Sequence, residues 1–199
     1  YFADLGSLDT NATLAHCVWI EEEDRDIIKE KGATVAVNPV SNLKLASGVC
    51  DVEKLLEKGI NVAIGTDSVA SNNSLNFFEE MKLFALTGKV TAMDPAVMTP
   101  QQVLRSATRA GALSQGREDC GLVKEGYKAD LIVIDTSGPN WTACDDIANG
   151  LIYSADGKDV CLTMCDGMTL YRDGEYTLID IEKTLAETEK AKQEIVKRL

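Results

Sequence analysis

The stretch from residue 61 to residue 73 constrains the fold of this chain more than any other. It opens with a short apolar run, Asn61–Ile64, passes through Gly65, Thr66 and Asp67, and ends in a loop rich in serine and asparagine. A short, continuous apolar run is typical of a strand that is buried on both faces in a parallel sheet. The pattern therefore predicts a buried strand that delivers a carboxylate to the C-terminal edge of a sheet.

Strands and helices alternate through the first part of the chain. The strand-like runs and the charged or amphipathic helical segments between them occupy, in order, residues 13–20, 21–31, 34–39, 51–58 and 61–64. This alternation predicts βαβ units and a parallel sheet, so the fold class is α/β. Further amphipathic helices at residues 73–86 and 99–116 resemble the outer layer of a barrel.

Several local predictions accompany this pattern. Residues 1–8 are typical of the end of a helix, whereas residues 41–48 are interpreted as a loop because Asn38-Pro39 should break the preceding strand. In the helix at residues 73–86, five side chains are expected to face inward: Leu75, Phe78, Met81, Leu83 and Leu86.

The character of the sequence changes after residue 121. A turn and strand at residues 126–135 and a hairpin around Asp166-Gly167 predict a small β module. A final helix is expected from Asp180 onward. Its apolar positions recur at helical spacing between charged residues and are Ile181, Leu185, Thr188, Ile195 and Leu199.

Composition excludes some classes of partner. The net charge of -12 and the lack of a lysine and arginine cluster argue against a nucleic-acid partner. No apolar run reaches the roughly 20 residues that cross a bilayer, so no membrane association is expected. The first residues also lack the pattern of a secretory signal, and a cytoplasmic location is the expectation.

The six cysteines do not form a recognisable ligand or disulfide pattern. None of them forms a Cys-x-x-Cys pair, which favours reduced thiols that serve in packing. Cys161 and Cys165 would share one strand face, so a zinc or redox role for these two stays open.

Two residues stand out as candidates for chemistry. His16 is the single histidine and lies near the end of the first predicted strand, and Asp67 follows the third. A hydrogen-bonded core histidine and a simple Gly-Thr-Asp turn are the alternative interpretations. Both residues nevertheless lie at C-terminal strand ends of one alternating series, and such ends meet in one pocket of a barrel.

Several polar residues flank these two candidates. Ser71 and Asn72 either hold polar groups of a substrate or cap the helix that follows. Asn42 and Lys44 belong to the predicted loop near the pocket, and for Lys44 a surface role is favoured.

Four separated motifs resemble the metal-dependent amidohydrolase superfamily. They are Leu-Ala-His-Cys-Val-Trp at residues 14–19, Asn-Pro-Val-Ser-Asn-Leu-Lys-Leu-Ala-Ser-Gly at 38–48, Gly-Thr-Asp at 65–67 with Ala-Ser-Asn-Asn at 70–73, and Gly-Tyr-Lys-Ala-Asp-Leu-Ile-Val-Ile-Asp at 126–135. Within the superfamily the chain is similar to the 5-methylthioadenosine/S-adenosylhomocysteine deaminases and to their chlorohydrolase and guanine deaminase relatives. The resemblance runs nearly end to end but covers only the C-terminal half of such an enzyme.

The resemblance implies an architecture. Residues 1–120 would form strands six to eight and covering helices of a TIM (β/α)8 barrel, residues 121–178 part of a small β-sandwich domain, and residues 179–199 a C-terminal helix. Members of the family are commonly dimers or larger homo-oligomers, so a homo-oligomer is expected here.

The resemblance also implies a reaction and roles for residues. The residue matching Asp67 binds a divalent metal, usually zinc or iron, and takes the proton of the metal-bound water, while the residue matching His16 hydrogen-bonds that water. The implied activity is hydrolytic deamination of a small molecule, an adenosine-like nucleoside or related amino-heterocycle. Val37 and Ser68 depart from the commoner family pattern, and both would line the pocket that the resemblance implies.

Other metal ligands of the family have no counterpart in these residues. The His-x-His of the first barrel strand and the histidine and glutamate of the fifth are lacking, and a catalytic zinc needs about three protein ligands. The sequence therefore predicts a fragment, or the ordered remainder, of a longer enzyme. By itself this fragment should bind catalytic metal weakly. The alternative is a noncatalytic homologue that acts only as a scaffold or assembly piece.

Overall fold

A three-stranded parallel sheet organises the first part of the chain. Its strands are β1 (Thr13–Ala15), β2 (Thr34–Val37) and β3 (Asn61–Ile64), and they pair in that order. Val35 of the central strand lies opposite Leu14 on one side and Val62 on the other. Because both faces of β2 are covered, Val35 is completely buried, as the continuous apolar runs predicted.

Eight α-helices accompany this sheet among residues 1–198, which are the residues that the computed structural model describes. They are α1 (Glu22–Lys31), α2 (Pro39–Lys44), α3 (Val52–Glu57), α4 (Val69–Asn72), α5 (Phe77–Ala92), α6 (Pro100–Ala107), α7 (Arg109–Ser114) and α8 (Ile147–Tyr153). Local sequence sets their ends. α1, for example, starts at a capping box of Glu21 and Asp24 and stops at Gly32, whose φ of 65° suits glycine.

The core lies between the sheet and these helices. Val35, Leu55, Phe84 and Val103 are completely buried, and Met98 is 1% exposed. Burial of such side chains stabilises a fold by about 1.5–3 kcal/mol each. This packing fixes the sheet against the helices that cover it.

One prediction about local structure is confirmed and one is wrong. Residues 1–8 end as a helix does: Ser7 N donates to Phe2 O and Gly6 N to Ala3 O around Gly6, whose φ is 72°, although the backbone before them is assigned as turn. The predicted loop at residues 41–48 contains most of α2, which starts at Pro39. Proline suits the first position of a helix because the missing N–H has no intrahelical acceptor there, so Asn38-Pro39 starts a helix as well as ending a strand.

The helices at residues 73–86 and 99–116 also differ from the prediction. α5 begins at Phe77, since Asn76 caps it by accepting from Phe78 N, and Leu75 and Leu86 are 67% and 41% exposed instead of inward. Residues 99–116 form α6 and α7 rather than one helix, because the backbone of Thr108 leaves helical geometry at φ −128° and ψ −84°.

The chain divides into two compact units. The first combines residues 1–127 with residues 136–159, and the second combines residues 128–135 with the chain from Val160 onward. Residues 136–159, which the sequence analysis assigned to the second domain, belong to the first unit. Asp159 orders this segment by accepting from Asn140 Nδ2 at 2.8 Å and Trp141 Nε1 at 3.2 Å. The domain boundaries inferred from the resemblance stay a prediction.

The second unit is built on an antiparallel sheet. Its strands are β4 (Leu131–Ile134), β5 (Val160–Cys165), β6 (Met168–Arg172) and β7 (Glu175–Tyr176), paired in sequence order. The predicted hairpin is confirmed, with Asp166 and Gly167 both at positive φ in its turn.

The final helix is present as α9 (Ile181–Val196), which Asp180 caps by accepting from Lys183 N. Its apolar side chains are exposed rather than packed: Leu185 is 62% exposed and Ile195 60%. Leu199, expected on the same stripe, lies outside the described residues. None of the helices described within residues 1–198 is long and apolar enough to cross a membrane.

Candidate functional site

The loops that leave the C-terminal ends of β1, β2 and β3 meet at one edge of the parallel sheet. His16 directly follows β1, and Asp67 lies three residues beyond β3. His16 Nε2 is 3.9 Å from Asp67 Oδ2. The structure thus brings together the two residues that the sequence analysis singled out.

Both residues depart from strand geometry in the same way. The φ angle is 68° at His16 and 59° at Asp67, so the backbone enters the left-handed region at each of these residues, directly after β1 and three residues after β3. Histidine and aspartate occupy this region more readily than most residues, although such conformations still cost about 1–3 kcal/mol and gather at functional sites. The main chain is anchored on either side, since His16 N donates to Ala36 O and Gly65 N donates to Val37 O.

A buried asparagine orients the imidazole. His16 Nδ1 is 2.7 Å from Asn42 Oδ1, and Asn42 is only 4% exposed. In the tautomer that donates from Nδ1 to this oxygen, Nε2 is the nitrogen without a proton. Nε2 lies on the side of Asp67.

Asn38 completes the surroundings of the ring and depends on a glycine. Its Nδ2 is 3.4 Å from His16 Nδ1, and its side chain is 6% exposed. A Cβ at Gly65 would lie 2.4 Å from Asn38 Oδ1, which is too close for any side chain. The glycine of Gly65-Thr66-Asp67 therefore makes room for the asparagine of β2's loop.

Hydroxyl groups hold the carboxylate of Asp67. Ser41 Oγ donates to Asp67 Oδ2 at 2.5 Å, and Ser71 Oγ donates to the same oxygen at 3.0 Å. The Ser41 hydroxyl, followed by the Ser68 backbone N–H, the Ser71 hydroxyl and the nearby imidazole, lowers the pKa of Asp67 below its ordinary value. The side chain is therefore a carboxylate at neutral pH.

Asn72 is buried and its amide is fully engaged. Its Nδ2 donates to Thr66 O at 2.7 Å and to Glu80 Oε1, and its Oδ1 accepts from Ser74 N at 3.1 Å. These bonds favour a bracing role over the predicted contact with substrate, which stays a prediction. The alternative role, capping of the next helix, is wrong because Asn76 caps α5.

Lys44 is an exposed residue at the end of α2, as its favoured surface role requires. Its Nζ donates to Ala70 O at 3.3 Å and to Asn73 Oδ1. Lys44 therefore links α2 to the end of α4, and the hydrogen bonds to His16 and Asp67 come from other residues.

Ser41 and Asn38 are contributors that the sequence analysis missed. Ser41 is 1% exposed, although it was assigned to a loop without a role. The sequence position of Ser41 could have indicated this role. It follows Asn38-Pro39 by about one helical turn, and β2 ends there at the same sheet edge as Asp67. The sequence offered no way to tell which of the neighbouring hydroxyls faces the carboxylate.

The thiols near the site are unreactive. Burial, together with the charge of Asp24, raises the pKa of Cys17 to about 11, and burial raises the pKa of Cys50 to about 12. None of the six cysteines, all of which lie among the described residues, forms a disulfide. Among residues 1–198 no three histidine, cysteine, aspartate or glutamate side chains lie close enough together to hold a metal ion.

This arrangement, an α/β sheet with an imidazole and a carboxylate at its C-terminal edge, agrees with a family match. The amidohydrolase family model matches residues 1–170. The chain belongs to the amidohydrolase family.

Two curated relatives are similar over almost the whole chain. The 5'-deoxyadenosine deaminase of Methanosarcina mazei is 44% identical over 196 residues, which are 98% of this chain and 45% of the relative. The 5-methylthioadenosine/S-adenosylhomocysteine deaminase of Dictyoglomus thermophilum is 42% identical over 194 residues, 98% of this chain and 46% of the relative. The chain therefore spans about half the length of these relatives.

A solved structure has the same fold. The adenosine deaminase of Xanthomonas campestris, crystallised with bound zinc, matches with a TM-score of 0.94 and 31% identity, over 98% of this chain and 45% of that one.

Proposed function

We propose that this chain forms part of a metal-dependent aminohydrolase that releases ammonia from an adenosine-like nucleoside. One observation carries the proposal: an oriented imidazole nitrogen and a carboxylate lie 3.9 Å apart at the C-terminal edge of a parallel sheet. This edge is where barrel enzymes place catalytic groups.

The architecture we propose is the C-terminal half of a (β/α)8 barrel in residues 1–120, followed by part of a β-sandwich in residues 121–178 and a C-terminal helix. In its support, β1 and β3 each pair with one neighbour among the described residues, whereas a closed barrel pairs every strand on both sides. The remaining strands would come from polypeptide outside these residues.

The donor atoms of these residues are of the types that bind divalent metals. Carboxylate oxygen and imidazole nitrogen are donors that zinc accepts, and Asp67 is the residue that would hold the ion. Zinc is the metal we propose, since the similar Xanthomonas structure contains it. When bound, such an ion supplies Lewis acidity and lowers the pKa of water toward ~7.

Asp67 is the proposed proton carrier. Its carboxylate is ionised at neutral pH, so it accepts a proton from the attacking water and passes it to the amine that departs as ammonia. His16 orients that water through the lone pair of Nε2, which the bond from Nδ1 to Asn42 leaves free.

The substrate class follows the named activities of the relatives, both of which are deaminases of adenosine derivatives. Ser71 donates to Asp67 and remains the proposed contact to polar groups of the nucleoside, whereas for Asn72, whose amide is fully engaged, we propose the bracing role. A homo-oligomer in the cytoplasm is the proposed working form.

An ammonia-release screen on the complete gene product tests the proposed function. The substrates are 5'-deoxyadenosine, 5-methylthioadenosine, S-adenosylhomocysteine, adenosine, guanine and a triazine. We expect turnover of at least one adenosine derivative by the wild type and none by Asp67→Ala. Absence of ammonia from every compound, with a folded and metal-loaded protein, would favour the noncatalytic alternative.

A further inference from the structure

A buried carboxyl group that the proposed reaction does not use lies behind the site. Glu80 of α5 is 1% exposed. Its Oε2 accepts from Val40 N at 3.1 Å, and its Oε1 accepts from Asn72 Nδ2. Burial raises its pKa, so a carboxyl group here is costly and needs a reason.

Each of the two bonds leads to one side of the Asp67 site. Val40 precedes Ser41 in α2, and the Ser41 hydroxyl donates to Asp67 Oδ2 at 2.5 Å. On the other side, the same Nδ2 of Asn72 also donates to Thr66 O at 2.7 Å, directly before Asp67. One carboxyl group thus joins α2, which carries the donor Ser41, to the loop that carries the acceptor Asp67.

The hydrogen bonds from Val40 and Asn72 to Glu80 are here called the brace. Their polarity is specific to a carboxylate. Both of its partners are N–H donors, and an ionised carboxylate offers acceptors only. A glutamine at this position would turn an NH₂ group toward one of the donors. Asn72 cannot compensate by rotating its amide, because Thr66 O and Ser74 N already require its present orientation.

We propose that Glu80 is a positioning residue for Asp67. This inference rests on the proposed function, in which Asp67 carries the proton. Glu80 touches neither Asp67 nor the substrate. It acts by holding α2, which carries Ser41, at a fixed position relative to the loop that carries Asp67. Misplacement of the carboxylate should then slow the chemical step while substrate binding is preserved.

The test replaces Glu80 by glutamine in the complete gene product, with Glu79→Gln as the matched control. Glu79 is the preceding residue of α5 and is exposed, so its variant removes the same charge without touching the brace. Glu80→Gln should lower kcat by about 10- to 100-fold with KM little changed, as for other residues that orient a ligand from behind. Glu79→Gln should keep the wild-type kcat. The proposal is overturned if folded Glu80→Gln keeps the wild-type kcat, or if its lower kcat/KM comes entirely from a higher KM.

A second variant keeps the test decisive if Glu80→Gln does not fold. Asn72→Ala removes one arm of the brace and should also lower kcat, whereas loss of a substrate contact would raise KM. If both variants fold, their combination should cost less than the product of the single losses, because both act through one network. Multiplicative losses, or an effect of Asn72→Ala on KM alone, count against the brace.

A crystal structure of Glu80→Gln separates this proposal from the proposed function. If the wild type releases no ammonia, the proposed function fails but the brace can still be measured. We expect the distance from Ser41 Oγ to Asp67 Oδ2 to increase beyond hydrogen-bonding range. An unchanged bond at 2.5 Å in the variant overturns the positioning role whatever the activity.

Discussion

At the residue scale, the site depends on hydrogen bonds that orient its two groups. Asn42 holds His16 through Nδ1 and leaves Nε2 on the side of Asp67, and Asp67 stays ionised because Ser41 and Ser71 donate to it. Each orienting partner lies on a different strand loop from the residue that it orients, except Ser71. The orientation of His16 and the ionisation of Asp67 therefore depend on residues from more than one of the segments that follow the strands.

The proposed roles predict unequal losses at these two positions. Asp67→Ala should abolish ammonia release, because it removes both the proton carrier and the metal-holding group. His16→Ala should cost less, since help in general acid-base catalysis is worth about 100- to 10,000-fold. Initial rates on the complete gene product measure both losses. Equal costs, or a larger cost for His16→Ala, contradict the roles assigned here.

At the scale of elements, close packing between strand ends shapes the site. β2 ends at Val37 and α2 begins at Pro39, so Asn38 occupies a single-residue junction and points its amide oxygen toward Gly65. Sequence reasoning located the strand end but missed the helix, since Asn-Pro also occurs in turns. The helix places Ser41 where its hydroxyl reaches the carboxylate.

Two glycine substitutions should have opposite effects on stability. Gly65→Ala places a Cβ 2.4 Å from the buried Asn38 Oδ1 and should destabilise the fold by about 1–3 kcal/mol. Gly111→Ala lies in α7 with nothing within 4 Å of the new Cβ, so it should stabilise by about 0.5–1 kcal/mol. Urea unfolding midpoints of the complete gene product compare the two. A Gly65→Ala protein as stable as the wild type would show that Asn38 moves freely.

At the scale of the whole molecule, the chain spans about half the length of its deaminase relatives, and Asp67 alone falls short of the ligand set of a catalytic zinc. We therefore expect the complete gene product to supply the remaining ligands.

Metal content should then depend on Asp67. The complete gene product should contain about one equivalent of divalent metal per chain, by the count of ligands that a catalytic zinc needs. Asp67→Ala should lose most of it, whereas Asp166→Ala, an exposed aspartate of the second unit, should not. Elemental analysis after gel filtration measures all three. Full occupancy in Asp67→Ala would contradict its role as a ligand.

The sequence by itself determined the alternation of strands and helices, the hairpin around Asp166-Gly167, and the candidates His16 and Asp67. These follow from local periodicity, turn chemistry and the position of a residue at a strand end, all of which are written in neighbouring residues. Only the tertiary structure decided that Ser41 holds Asp67, that Asn42 orients His16, and that Glu80 accepts from Val40 N. These three contacts join residues 26 to 40 positions apart, and they arise because parallel strands bring the segments that follow them to one edge of the sheet.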